Sequence, residues 1–176
     1  MKELALAKVY ALIEPGPVVL VTTAHRGRAN VMTMSWHMMV DFEPPLIACL
    51  LSSGNYSFSA FKATRECVIA IPDREIADKV VGVGNCSGRD TDKFAKFGLT
   101  PLPAEMVHAP LIAECFTNLE CRIVNTRLMN TYNLTVIEVV KAWVDPKKKA
   151  SKTIHHHGYG TFVVDGETIK LKSKMR

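Results

Sequence analysis

Aromatic residues are scarce in this chain: Phe, Trp and Tyr together make up 7% of its 176 residues. Surfaces that bind single-stranded nucleic acid interleave stackable aromatics with basic residues on one face, and no such interleaving occurs, so nucleic acid is disfavoured as a partner. Long apolar runs are missing too. No window approaches the ~18 uncharged apolar residues of a membrane span. Met1 to Tyr10, interrupted by Lys2, Glu3 and Lys8, lacks the continuous apolar core of a signal peptide. A cytoplasmic protein with no membrane partner is expected. None of the five cysteines (Cys49, Cys67, Cys86, Cys115, Cys121) forms a Cys-x-x-Cys pair, which removes the usual zinc and dithiol motifs. Their odd number and apolar surroundings point to buried free thiols in a reducing compartment. A Gly-Lys-Ser/Thr phosphate loop, a Ser/His/Asp set and a paired-carboxylate motif are all absent.

What is present describes one globular unit. Hydrophobic residues make up 48% and charged residues 22% of a length near that of a typical domain, so a single domain over residues 1–176 is expected. The net charge of +5 comes partly from Lys147, Lys148, Lys149 and Lys152 and from Lys170 to Arg176, read as solvated charge in a loop and a tail.

The apolar pattern is mainly that of strands. Pro17 to Thr23 (PVVLVTT) and Asn30 to Val40 flank a turn-like Ala24 to Arg28 and read as a hairpin. Leu46 to Leu51, Glu66 to Ile71, Leu119 to Val124 and Tyr132 to Val144 read as further strands, the last long enough to need a bend or bulge. Phe162 to Val164 and Glu167 to Ile169 flank Asp165-Gly166, a dipeptide suited to a tight hairpin turn. Short helices are expected after Asn55-Tyr56-Ser57, over Arg74 to Val81 ending at Gly82, and over Asp92 to Phe97, capped by Asp90-Thr91 and closed by Gly98. Six or seven strands with short helices between them indicate a mainly β chain, a Greek-key-like antiparallel barrel.

Two stretches carry candidate chemistry. In Gly82 to Lys93 (GVGNCSGRDTDK), glycines bring backbone N–H groups close to an anion, and Arg89 and Lys93 add positive charge beside a helix start. A phosphate cradle is one reading; a structural turn with Arg89 paired to Asp90 or Asp92 is the other. Gly82-x-Gly84 is no dinucleotide fingerprint, because it follows a helix and lacks the third glycine. In Asn30 to Met39, strand alternation puts Met32, Met34, Trp36 and Met38 on one face and Thr33, Ser35 and His37 on the other. That polar row can meet a ligand or simply face solvent.

These segments, in this order, resemble a known family. Asn30-Val31-Met32-Thr33-Met34-Ser35-Trp36, Pro44-Pro45-Leu46, Asn55-Tyr56-Ser57, Glu66-Cys67-Val68-Ile69, Ser87 to Phe94, Ala109-Pro110-Leu111-Ile112 and Leu119-Glu120-Cys121 are similar to the flavin reductase-like proteins of the FMN-binding split-barrel fold, within them the flavoredoxin-like group. The resemblance implies a homodimer of split barrels with one noncovalent FMN per chain near the interface. It implies that Asn30, Met32, Thr33, Ser35 and Trp36 line the phosphate and ribityl side. Ser53, Asn55, Tyr56 and Ser57 add contacts at a helix start, and Ser87, Gly88, Arg89 and Lys93 complete the anion site. Met32 stands where relatives carry a hydroxyl; Tyr132 and Phe162 fall near positions that approach the isoalloxazine. His155-His156-His157 matches a His-containing segment of the family, and three adjacent histidines on one strand cannot converge, so no metal is expected.

The implied activity is NAD(P)H-dependent flavin reduction, hydride passing from NADH or NADPH to bound FMN, with no catalytic acid or base required of the protein. Alternatives are a flavoredoxin-type electron carrier that meets redox partner proteins, and a nonredox barrel that binds polyanions.

Overall fold

The computed structural model describes residues 16–148, 151–169 and 171. The N-terminal segment Met1 to Tyr10, Lys149 and most of the basic tail therefore lie outside the described residues. Seven strands form one antiparallel sheet: β1 (Val19–His25), β2 (Arg28–Met34), β3 (His37–Phe42), β4 (Pro45–Leu50), β5 (Glu66–Ile71), β8 (Thr117–Asn125) and β9 (Leu134–Val144). Their order is β2-β1-β5-β8-β9-β4-β3. The two edge strands are consecutive in the chain, separated by Ser35 and Trp36 alone. So short a link forces the sheet to roll until its edges meet at one corner, while no ladder joins β2 to β3 among the described residues. The result is a barrel split along one seam. His37 strengthens that corner, its Nε2 lying 2.8 Å from the Pro17 carbonyl oxygen.

The single strand expected from Asn30 to Val40 is thus two strands on opposite edges. Met32 and Met34 pack with the inner core as the alternation requires, but Trp36 and Met38, beyond the break, are exposed. Strand alternation cannot be read through a residue pair that leaves one edge to join another. The β1–β2 turn is the two-residue Arg26-Gly27 (φ 51° and 74°), a geometry in which both central residues take positive φ.

Except along the exposed β3, both faces of the sheet are packed. Val19, Val21, Cys49, Cys67, Ile69, Cys121 and Ile137 fill the barrel interior, joined by Phe61 from α1 (Ser57–Thr64). Burying Phe61 completely contributes about 1.5–3 kcal/mol. On the outer face Val18, Leu20 and Val31 pack under α2 (Ala77–Gly84) and α3 (Lys93–Phe97). The helix after Asp73 opens as a 3-10 turn over Arg74–Ile76 and runs past Gly82 to Gly84. Gly82 does not stop it, and serves instead to admit Phe97: a Cβ there would lie 2.4 Å from that ring. Asp92, not Asp90-Thr91, caps α3, its Oδ1 accepting from the Ala95 N–H at 3.1 Å.

Two short pairs complete the strands, β6 (Pro101–Leu102) with β7 (Leu111–Ile112) and β10 (Ile154–His156) with β11 (Phe162–Val164); the last forms with the expected bounds, and the other three have too few residues for a periodic signal. The expected hairpin around Asp165-Gly166 does not form: β11 pairs upstream with β10, and 167–169 are not strand. Asp165 is committed to that upstream strand, accepting from Thr153 Oγ1 at 2.7 Å and lying 2.9 Å from His155 Nε2. The Thr153 hydroxyl, with His155, holds its carboxyl below the ordinary range. A four-residue helix, α4 (Met129–Tyr132), displaces the start of β9 to Leu134, and the expected irregularity is present as register shifts against β8. Lys148 is not the solvated charge its run suggests; it donates to Asp73 Oδ2 at 2.9 Å and to the Glu114 carbonyl at 3.0 Å.

Cys49, Cys67, Cys115 and Cys121 are buried free thiols, and Cys86 is half-buried. Burial pushes Cys49 and Cys115 up to about 12, which makes them inert as nucleophiles. Glu120 is fully buried outside the barrel and accepts from the Glu105, Met106 and Val107 N–H groups and from Trp143 Nε1. Burial raises its carboxyl, but the Trp143 and backbone donors more than offset this and leave it below the ordinary range. The stability it supplies is complete above the ordinary glutamate range and is lost as pH falls through the lower folded value. Glu120→Gln, which replaces an ionised acceptor by a neutral one carrying two hydrogens, is expected to lower unfolding stability by about 1.5–3 kcal/mol in urea titration at pH 7 and to flatten the acid limb.

Candidate functional site

A cavity of about 310 Å³ opens where β2 passes between the start of α1 and the α2–α3 loop. It brings together Asn30, Met32 and Thr33 from β2, Asn55, Tyr56 and Ser57 from the start of α1, and Ser87, Gly88 and Lys93 from the loop and α3. Gly54, Val83, Gly84, Asn85 and Cys86 complete the wall. The rolled sheet explains the meeting. β2 presents one face to the barrel and the other to α2, so its free edge lies in the gap between them.

Asn30 is the link between the three segments. It is buried, and its Nδ2 donates to Ser57 Oγ at 2.7 Å, which leaves the serine hydroxyl hydrogen available to a ligand. Gly88 lies so close above it that a Cβ would fall 2.0 Å from Asn30 Oδ1 and 2.8 Å from the Tyr56 ring. Only glycine permits that approach. Arg28 holds the loop down, donating from Nη2 to the Gly88 carbonyl at 2.8 Å with its guanidinium 5.4 Å from the Tyr56 ring centroid. Thr33 Oγ1 donates to the Val80 carbonyl at 2.6 Å and fixes α2 to β2.

Lys93 is the charged group of the cleft. It is 5% exposed, and Nζ donates to the Val83 carbonyl at 2.8 Å. Burial lowers its pKa, partly offset by the neighbouring Cys86. No side chain caps the N-terminus of α1. A helix start, serine and asparagine side chains and a buried lysine line the same cleft, a set of groups with the chemistry to hold an anion. Among the described residues no group of three or more His, Cys, Asp or Glu is placed to hold a metal.

Four of the residues that the resemblance singles out, Ser35, Trp36, Ser53 and Arg89, lie outside this wall. Ser35 and Trp36 form the corner between β2 and β3, with the Trp36 carbonyl accepting from the Leu50 N–H at 3.1 Å. The Ser53 N–H donates to Asn133 Oδ1 at 3.1 Å. Arg89 is exposed and has no ion pair with Asp90 or Asp92 among the described residues, so the turn is organised otherwise, by the Arg89 N–H donating to Ser87 Oγ at 3.1 Å. Tyr132 is exposed at the end of α4, and Phe162 packs in the outer core with its ring 5.0 Å from that of His156; neither lines the cleft. Sequence reasoning missed Arg28, whose role depends on a contact sixty residues away.

The sequence model of the flavin reductase like domain matches residues 12–162. The chain belongs to this family. It is 31% identical over 172 residues, 90% of its length and 91% of the other's, to the uncharacterized Escherichia coli K12 protein YddH. Two solved structures of the same fold are similar throughout. The FMN-binding domain of a flavin reductases-like enzyme from Shewanella baltica OS155 superposes with a TM-score of 0.82 at 26% identity over 96% of each chain. Flavoredoxin of Desulfovibrio vulgaris (Miyazaki F) gives 0.86 at 25% identity over 99% of this chain and 98% of that one.

A buried ammonium in a protein with no bound anion opposes folding. Lys93→Met is therefore expected to keep or raise the thermal midpoint of the ligand-free protein, measured by calorimetry, while a Lys93 that served packing alone would lower it on replacement.

Proposed function

We propose that the chain acts as one unit that binds FMN in this cleft, and that it is an NAD(P)H-dependent flavin reductase. The single observation that carries the reading is the convergence of Asn30, Ser57, Gly88 and Lys93 on one cavity in a member of the flavin reductase-like family. The polar groups fit the ligand: Lys93 and the α1 start suit a phosphate, and Asn55, Ser87 and the accepting oxygen of Thr33 suit the hydroxyls of a ribityl chain. Bound FMN would supply the hydride- and electron-accepting chemistry. The chain's own residues bind and orient it. Lys93 holds the anionic end, Asn30 fixes the Ser57 hydroxyl as a donor, and Gly88 lets the loop close over both.

At about 310 Å³ the cavity is at the low end of ligand sites. A second copy of the chain would cover the remainder. β3, an edge strand among the described residues, supports that role, with Met38 62% and Phe42 79% exposed beside Met39 and Val40. A cytoplasmic setting accords with the free thiols. The likeness to flavoredoxin supports a second reading, an electron carrier with permanently held FMN and a protein partner. The polyanion barrel has less support, since Lys148 is tied to Asp73.

The visible spectrum of the purified protein, followed by anaerobic NADH and NADPH, tests the reading. A flavin band that bleaches with turnover supports the reductase; a band that ignores both donors supports the carrier; a protein that FMN does not perturb refutes both. Lys93→Met is expected to weaken FMN binding by about tenfold or more, against less than about threefold for Arg89→Ala, in fluorescence titrations. An anion beside Lys93 raises its pKa, so affinity is full below the lowered lysine value and falls as pH climbs through it. Phe42→Glu is expected to shift the protein from dimer to monomer in analytical ultracentrifugation and to weaken FMN binding with it.

A further inference from the structure

Tyr56 lines two cavities. Together with Asn30 and Ser57 it lines the FMN cleft, and the same three residues line a second cavity of about 280 Å³ whose other walls include Arg26 and Arg28 of the β1–β2 hairpin and Ser59 of α1. No carboxylate lies in that second wall. Its two arginines are placed by different means. Arg28 is fixed by its bond to the Gly88 carbonyl and its position over Tyr56, so the guanidinium fork is held before any ligand arrives. Arg26 stands at the first central position of a two-residue turn with φ 51°, where asparagine or glycine is the conformationally easy choice. A long cation at that position is a local strain with no packing reason, since Arg26 is exposed. Thr23 borders the same cavity, and its buried Oγ1 has no hydrogen-bond partner among the described residues.

We propose that this second cavity is a subsite for the adenosine-phosphate half of a dinucleotide whose other half reaches the principal cleft. Arg26 and Arg28 would hold the phosphate, and the half-buried Tyr56 and the stem of α1 would flank the nucleoside. The adenosine phosphate has two sources with the same chemistry. It is the adenylate end of FAD, bound with its flavin in the principal cleft, or that of NADP(H) lying against bound FMN. The inference rests on the assignment of FMN to the principal cleft. It goes beyond that assignment in giving the β1–β2 hairpin a role in choosing between mononucleotide and dinucleotide.

The test compares wild type with Arg26→Asn, which suits the turn, and Ser59→Trp, which fills the cavity from the opposite wall. Ligand-free protein is titrated with FMN and with FAD by fluorescence, and FMN-loaded protein with NADP+ by calorimetry. Arg26→Asn is expected to leave the thermal midpoint unchanged or raised and the FMN Kd within about twofold. It is expected to weaken either FAD or NADP+ binding by at least about fivefold, the loss of one charge-assisted contact. A selective loss of FAD affinity identifies the flavin adenylate; a selective loss of NADP+ affinity identifies the donor. Ser59→Trp is expected to reproduce whichever loss occurs. Because FMN and FAD carry similar charge, a long-range field effect would move both flavins together, and that outcome overturns the subsite. FAD and NADP+ affinities that ignore both substitutions also overturn it, while FMN binding by wild type shows the principal cleft to be sound. A wild-type chain that binds neither flavin overturns both.

Discussion

Everything about this site follows from the two residues that join the sheet's opposite edges. Because β2 must become β3 across Ser35 and Trp36, the seven-stranded sheet has to curl, and β2 is left as an edge strand between the barrel and the helices of its outer face. An edge strand has backbone and side chains not taken up by a neighbouring strand. Here that unsatisfied edge is met by the start of α1 on one side and by the α2–α3 loop on the other, and the cleft is the space where the three approach. Asn30, Met32 and Thr33 thereby line the cleft, while Val31 is buried in the outer core.

The close approach is maintained by a small number of contacts between distant segments. Arg28 reaches Gly88, Asn30 reaches Ser57, and Thr33 reaches Val80. Each connects β2 to a different element, so three separate hydrogen bonds hold the walls of the cleft together, the kind of preorganisation that lowers the ordering cost of binding. Lys93 completes it at a cost to the empty protein. The residue is 5% exposed and its ammonium, on the cleft wall, bonds to the Val83 carbonyl, an arrangement that an anion in the cleft would relieve.

Local chemistry was readable from the sequence where the residues themselves decide it. The run Glu66 to Ile71, apolar from Cys67 onward, forms a strand with those bounds, and Gly98 closes α3 in the left-handed conformation. The glycine-rich Gly82 to Lys93 stretch does line a cleft, through Gly84, Ser87, Gly88 and Lys93. What could not be read depends on pairing at long range. Asp165-Gly166 carries a turn signature, yet Asp165 answers to Thr153 and His155. Arg89 and Lys93 are both candidate cations by position, yet only Lys93 lines the cleft while Arg89 faces solvent. The alternation from Asn30 to Val40 is regular, and the chain nevertheless changes edges in its middle. Arg28 gave no local signal, because its partner is the carbonyl of a glycine in the other half of the site.

The central claim is that the Asn30–Ser57–Gly88–Lys93 cleft recognises the phosphate of a flavin. Comparing FMN with riboflavin, which has the same ring and ribityl chain and no phosphate, by calorimetric titration of the ligand-free protein tests it most directly. The account predicts one FMN per chain bound on the order of a hundredfold more tightly than riboflavin, the contribution of one or two charge-assisted contacts in a buried site. Equal affinity for the two, or binding of neither, would contradict it.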